Sequence, residues 1–326
     1  MSSSRRLLSA GVFALIFPPL ALAAPWVPLT IHAQADLTAI DFSDPTHGIL
    51  GGASGALYRT DDGVQWDVIE SPLIETWNVV RRLSPDVMLV ARNSLRRTAD
   101  AGKTWDAVPS LADGVAIFDI LKTNDARLFL LRGLDVWSSN DAGATWQLAY
   151  DGADTQPFTR LLRQVSASTF VAFGGRSYDG YSGAHVLRSI DEGQTWEFLL
   201  PSICQILAGD FADPTNGIVA TLDGSLWRTT DAGANFEPIT NDLPAGLVID
   251  DLRAYRGRWI TATNDGNVFT SIDDGHHWKP EYSNMLGNAV NALDVQFVPT
   301  LVGAGGTALY DDGIFLGRFE DEPPSK

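Results

Sequence analysis

Three sets of residues in this chain have types suited to chemistry. Arginines at 81, 82, 160, 163 and 253 lie in or beside apolar runs, and gathered together they could grip a carboxylate. No spacing among them demands that cluster. His276 and His277 are adjacent. Neighbours on a strand point to opposite faces, so the two cannot chelate one ion, and they read as a surface-turn variant. Aspartates stand at 61, 100, 141, 191, 231, 273 and 311, each two residues before a glycine. One carboxylate per turn falls short of the six to eight oxygens calcium takes, so no metal and no cofactor is expected. Cys204, the sole cysteine, sits in the apolar run "ICQILAG" and reads as a small buried hydrophobe.

The elements that would carry these residues follow from repetition. The glycines are Gly63, Gly102, Gly143, Gly193, Gly233, Gly275 and Gly313, at intervals of 39, 41, 50, 40, 42 and 38. Three residues after the first six comes an aromatic: Trp66, Trp105, Trp146, Trp196, Phe236 and Trp278. The seventh unit, "LYDDGIFL", lacks it. Each unit opens with an apolar stretch such as "LTAIDF" and continues with a second run such as "GIVAT". An Asp-Gly turn such as "LDGS" then leads to a third run such as "LWRT". The Asp/Gly motif turns the chain into a fourth run, for example "WQLA". Four short strands per forty residues, without helical periodicity, describe a β-propeller blade, and seven glycines mean seven blades. The motif is a structural turn between strands three and four. Its aspartate accepts backbone amides, its glycine relaxes the backbone, and its tryptophan covers a sheet edge.

These residues resemble the Asp-box, or BNR, repeat of sialidases and related propellers. The stretches "AIDFSDPTHGILGGASGALYRTDDGVQW" (39–66) and "GDFADPTNGIVATLDGSLWRTTDAGANF" (209–236) resemble blades of the photosystem II stability and assembly factor family. That resemblance covers nearly the whole chain after its leader. It implies a seven-bladed, non-enzymatic propeller that serves a membrane protein complex. The Asp-box half of the resemblance implies the alternative of a glycan-binding or glycan-cleaving propeller. A sialidase needs three arginines for the substrate carboxylate, a tyrosine–glutamate nucleophile pair and an acid–base aspartate. The Arg-Ile-Pro start of that family is absent here, and no arginine precedes Arg59 after the leader.

The first 23 residues read as a secretory signal peptide. Arg5 and Arg6 precede an apolar run that ends at Ala21-Leu22-Ala23. The expected location is the periplasm, or the thylakoid lumen in a photosynthetic host. No cysteine stands at that cleavage site for lipid attachment. The formal charge of −17 becomes more negative once the two arginines are removed, which excludes nucleic acid as a partner. With 45% hydrophobic residues the chain has ample material for a large core. A closed monomeric ring over 24–326 is expected, with residues 25–29, "PWVPL", supplying the outer strand that the seventh unit lacks. An unpaired arm is the other reading.

Two features could bind a partner. Arg59, Arg97, Arg188 and Arg228 each precede the Ser or Thr of strand three, as contact residues or as bridges between blades. Unit four is longer by the insertion "GGRSYDGYSGAH" (174–185), read as a contact loop carrying Arg176, Tyr178 and Tyr181, or as a tolerated surface insertion. Strand alternation puts that insertion on the face of the blade-to-blade connections, with Trp77, Arg81 and Arg160 as further exposed contacts.

Overall fold

The structure, a computed structural model, describes residues 26–311 except 30, 32, 134, 153–158, 179–180, 284–288 and 298. The leader read from residues 1–23 lies outside them, as does the box that follows Asp311. Seven antiparallel four-stranded sheets are present, and six take their strands in sequence order. The inner strands are Leu37–Phe42, Val79–Arg82, Ile117–Lys122, Thr159–Gln164, Ile206–Phe211, Ile249–Tyr255 and Val290–Asp294, in blades one to seven. In the seventh sheet the outer strand is Trp26–Pro28, paired with Ala308–Asp311 through Trp26↔Asp311 and Pro28↔Leu309. Helix is limited to two short 3-10 turns, Ala53–Gly55 and Ala304–Gly306, among the described residues. None of the helical segments described is long and apolar enough to cross a membrane.

The core lies between blades. Seven clusters of buried side chains each draw on two neighbouring sheets. Trp146 of blade three packs with Leu89, Leu95 and Val108 of blade two. Trp196 of blade four meets the ring of Phe129 in blade three at 6.2 Å, edge-on. The box aromatics of blades one to six therefore seal each of these blades against the preceding one.

Each box is a closed hydrogen-bonded loop. In blade two, Thr98 donates to Asp100 at 2.7 Å and accepts the amide of Gly102 at 3.0 Å. The amide of Thr104 donates to that same Asp100 oxygen at 2.9 Å, and its hydroxyl to the other oxygen at 2.7 Å. Asp141, Asp191 and Asp231 repeat this arrangement. Asp273 does so with His277 in place of Thr, at 2.6 Å. Gly102 has φ +85° and the residue before it, Ala101, φ 60°, so the turn spends two residues in the left-handed region.

Blade one corrects the sequence reading. Its box is one residue shorter, and Asp62, not Asp61, lies two residues after the hydroxyl of Thr60. Asp62 accepts from Thr60, Val64 and Gln65. Asp61 instead pairs with the guanidinium of Arg82 at 2.6 Å. Distance from the hydroxyl residue, rather than from the glycine, decides which carboxylate closes the loop.

The strand-three arginines are blade-to-blade bridges. They reach the left-handed residue of the next box, mostly through its carbonyl. Arg59 donates to Ala101 at 2.6 Å, Arg97 to Ala142 at 2.9 Å and Arg188 to Ala232 at 3.0 Å. Arg228 lies 3.7 Å from the Asp274 carboxylate. Blade three has no such arginine, and Arg127, just before its second strand, spans the same gap to the carbonyl of Glu192 at 3.1 Å.

Replacing Trp146, 4% exposed, with Ala should cost roughly 3–5 kcal/mol, read by denaturant unfolding. A variant of parental stability would show that the box tryptophan does not seal the blades. Removing residues 26–28 should lower the melting temperature and favour self-association through the bared edge of Ala308–Asp311. Size-exclusion chromatography checks the second effect.

Candidate functional site

The inner strands bring a second set of charged side chains to the central channel. Asp41 accepts the amide of Arg82 at 2.7 Å, Asp119 that of Leu162 at 2.9 Å, and Asp210 that of Ala254 at 3.0 Å. Asp251 takes Leu293 at 2.9 Å, and Asp294 takes Phe42 at 3.0 Å, joining blade seven to blade one. Each carboxylate thus ties its blade to the next. At the two remaining junctions an arginine crosses instead. Arg81 donates to the carbonyl of Ile120, and Arg163 to that of Gly209 at 3.1 Å.

The same arginines neutralise most of the carboxylates. Arg81 pairs with Asp119 at 2.7 Å. Arg163 lies 3.3 Å from Asp119 and 3.5 Å from Asp210, and Arg253 lies 2.9 Å from Asp251. One pair of carboxylates is left over. Asp294 and Asp41 are neighbours with no cation between them, and Arg81 stands 3.9 Å from Asp41. Gln296 links the two, donating its side-chain amide to Asp41 at 3.2 Å and its backbone amide to Asp294 at 2.8 Å. Burial, with Asp294 adding to it and Arg81 opposing, pushes the Asp41 carboxyl up to about 7. Burial also raises Asp294. Burial lowers Arg163, with Arg253 adding to the effect. It also opposes the charge of Arg253, but Asp251, Asp210 and Asp119 outweigh it and raise that group.

A cavity of about 330 Å³ lies among these residues, lined also by Lys122, Asn124, Gln164 and Gln296. Those four stand where inner strands end and the first turns begin. Because strands alternate in direction, this is the end of the channel on the Asp-box face. At the other end is Asp250, whose carboxyl is raised to about 6 by burial, with Arg160 opposing and Asp251 adding.

The sequence-derived contact residues separate. Trp77 is fully buried, not an exposed contact. Its indole donates to Ser71 at 3.0 Å, and Gly51 leaves it room, since a Cβ there would come 3.0 Å from the Trp77 Cβ and 2.6 Å from Val80. Arg81 is spent in the channel on Asp119, Val80 and Ile120. Arg160 is exposed at the connection-face end. The 174–185 insertion is not a loop. Phe170–Tyr178 and Tyr181–Ser189 pair without interruption to Tyr178↔Tyr181, so Arg176, Tyr178 and Tyr181 belong to a two-stranded ribbon. At about 3.4 Å per residue the added pairs extend roughly 15 Å.

The channel aspartates were missed in the sequence, though a signal existed. An aspartate interrupts the apolar first run of most units, as in "AIDF", "IFDIL", "AGDF" and "ALDV". No group of three or more ligating side chains suited to a metal occurs among the described residues.

No protein-family model matches the chain. A photosystem II assembly lipoprotein, Ycf48 of Synechococcus sp. (strain CC9902), is 24% identical over 282 residues, 81% of this chain and 80% of its own. This chain is similar to Ycf48. A solved structure of YCF48 bound to D1 peptide superposes with a TM-score of 0.69 at 18% identity, covering 88% of this chain and 96% of the other. The resemblance carried by residues 39–66 and 209–236 is thereby borne out over most of the molecule. A GH74 xyloglucanase of Xanthomonas campestris shares the fold with a TM-score of 0.60 at 15% identity, but this chain covers only 51% of it.

The pH dependence follows from the carboxylate pair. Asp41 and Asp294 hold protons more tightly folded than unfolded, so the native state binds more protons between the unfolded and folded pKa values. Stability must then fall as pH rises through that window, from about 4 to about 7. The melting temperature should be lower at pH 8 than at pH 5.5, and Asp294→Asn should flatten that slope. A slope unchanged in the variant would show that the pair does not interact.

Proposed function

We propose that this protein is an exported, non-enzymatic factor that assists the assembly or stability of a membrane protein complex. The carrying observation is the similarity to Ycf48 across four-fifths of both chains. The client is an envelope or photosynthetic membrane protein, met in the periplasm or thylakoid lumen. The arginines that a glycan-acid hydrolase would need are occupied: Arg81, Arg163 and Arg253 each already hold an aspartate. That occupation supports a binding role over the glycan-cleaving alternative.

The contact face in this reading is the one bearing the connections, with Arg160 and the ribbon residues Arg176, Tyr178 and Tyr181 as its anchors. The box face repeats from blade to blade, and a repeated surface serves closure. A single asymmetric client requires a surface that varies, and the ribbon occurs in one blade alone among the described residues.

Pull-down from detergent-solubilised envelope should capture a membrane protein. The double variant Arg160→Ala with Tyr178→Ala should bind it about 1,000-fold more weakly, since aromatic and arginine anchors contribute roughly 2 kcal/mol each. Replacing Ile190 and Ile272, exposed on the box face, with Ser should leave binding intact. Loss of binding only in the second pair would move the contact to the box face.

A further inference from the structure

We propose that the cavity at the Asp-box end of the channel binds a small zwitterion bearing one ammonium and one carboxylate, a free α-amino acid. A volume of about 330 Å³ is at the lower end of small-molecule sites, and its lining is polar. The proposal rests on the charges that the ring leaves over. Arg163 and Arg253 are matched by Asp119, Asp210 and Asp251, as described above. Arg81 directs its donors to Asp119, Val80 and Ile120. Two groups of opposite sign remain.

One is the Asp41–Asp294 pair, whose single cation within 4 Å among the described residues is Arg81, at 3.9 Å. The other is Lys122, whose ammonium has no hydrogen bond or ion pair among the described residues, although it lines the same cavity. Asp294 and Asp41 belong to blades seven and one, whereas Lys122 belongs to blade three and its neighbour Gln164 to blade four. In a ring of seven, the third and fourth blades lie across the channel from the junction of the seventh and first. The cavity is therefore bipolar. A lone anion meets the carboxylate pair, and a lone cation meets Lys122. A zwitterion places its ammonium at Asp41 and Asp294 and its carboxylate at Lys122, with Asn124 and Gln164 beside it. A metal ion fits less well, because no group of three or more ligating side chains suited to one occurs among the described residues.

Ligand and proton compete for the carboxylate pair. Asp41 is faced by Arg81, Lys122 and Asp294, and Asp294 by Arg253, Arg81 and the amides of Gln296 and Phe42. Binding should then strengthen as the pair gives up its proton. The site lies at the opposite end of the channel from the proposed client face, so the two readings stand or fall separately.

Isothermal titration of the protein with glycine, alanine and glutamine at pH 8 tests the proposal, with the N-acetyl and amide forms of each as controls. Saturable binding of at least one free amino acid is expected, weakened about 10-fold or more by blocking either end, because each block removes a charge-assisted hydrogen bond. The same loss is expected for Lys122→Gln, which breaks no hydrogen bond or ion pair among the described residues, and for Asp294→Asn, with circular dichroism confirming the fold. Affinity should also fall from pH 8 to pH 6. No saturable binding up to about 10 mM, equal binding of blocked and free forms, or full binding by a folded Lys122→Gln protein would overturn it.

Discussion

Every blade of this protein depends on its neighbour for a core. Two strands of apolar side chains face outward from each sheet surface, and they are buried only when the next sheet is laid against them. The seven buried clusters are therefore seven interfaces, and no sheet carries a core of its own. Closure of the ring follows as a requirement. Blade seven meets blade one through Leu37, Phe42, Trp66, Val302 and Ala308. Its outer edge is finished by Trp26–Pro28 from the other end of the described chain.

Polar interactions reinforce this constraint at two radii. Near the axis, aspartates accept the amide of the next inner strand, which satisfies backbone donors that have no room for water. Farther out, arginines span from one blade to the box turn of the next. An acidic protein with few cations thus commits many of its arginines to internal positions. Its outward charge is correspondingly negative, a property that repels anionic surfaces and attracts cationic ones.

The channel sets five aspartates against three arginines. The two carboxylates left without a close arginine, Asp294 and Asp41, meet at the seam where the chain closes. The link from Asp294 to Phe42 is a closing contact, and burial raises the carboxyls of both Asp294 and Asp41 beside it. The fold is shared with proteins of different activity, among them a xyloglucanase, so the ring itself specifies no chemistry.

The number of blades and the four-stranded grammar were legible in the sequence, because both depend on short-range patterns. A turn closes within a few residues, and an apolar run needs only its own alternation to become a strand. The resemblance to an assembly-factor family was legible for the same reason, since it is carried by stretches of one blade's length. Other features required the tertiary structure. Asp61 and Asp62 are both one or two residues before Gly63, and only the hydroxyl of Thr60 decides between them. Trp77 looks like a connection-loop aromatic until Gly51 and Val80 are folded around it. Arg81 and Asp119 are 38 positions apart in sequence and 2.7 Å apart in space. Asp294 meets Phe42 across 252 positions. Contacts of that kind arise from closing the ring, which no local pattern encodes. The channel, its unmatched carboxylates and the lysine opposite them were therefore decided by tertiary structure alone.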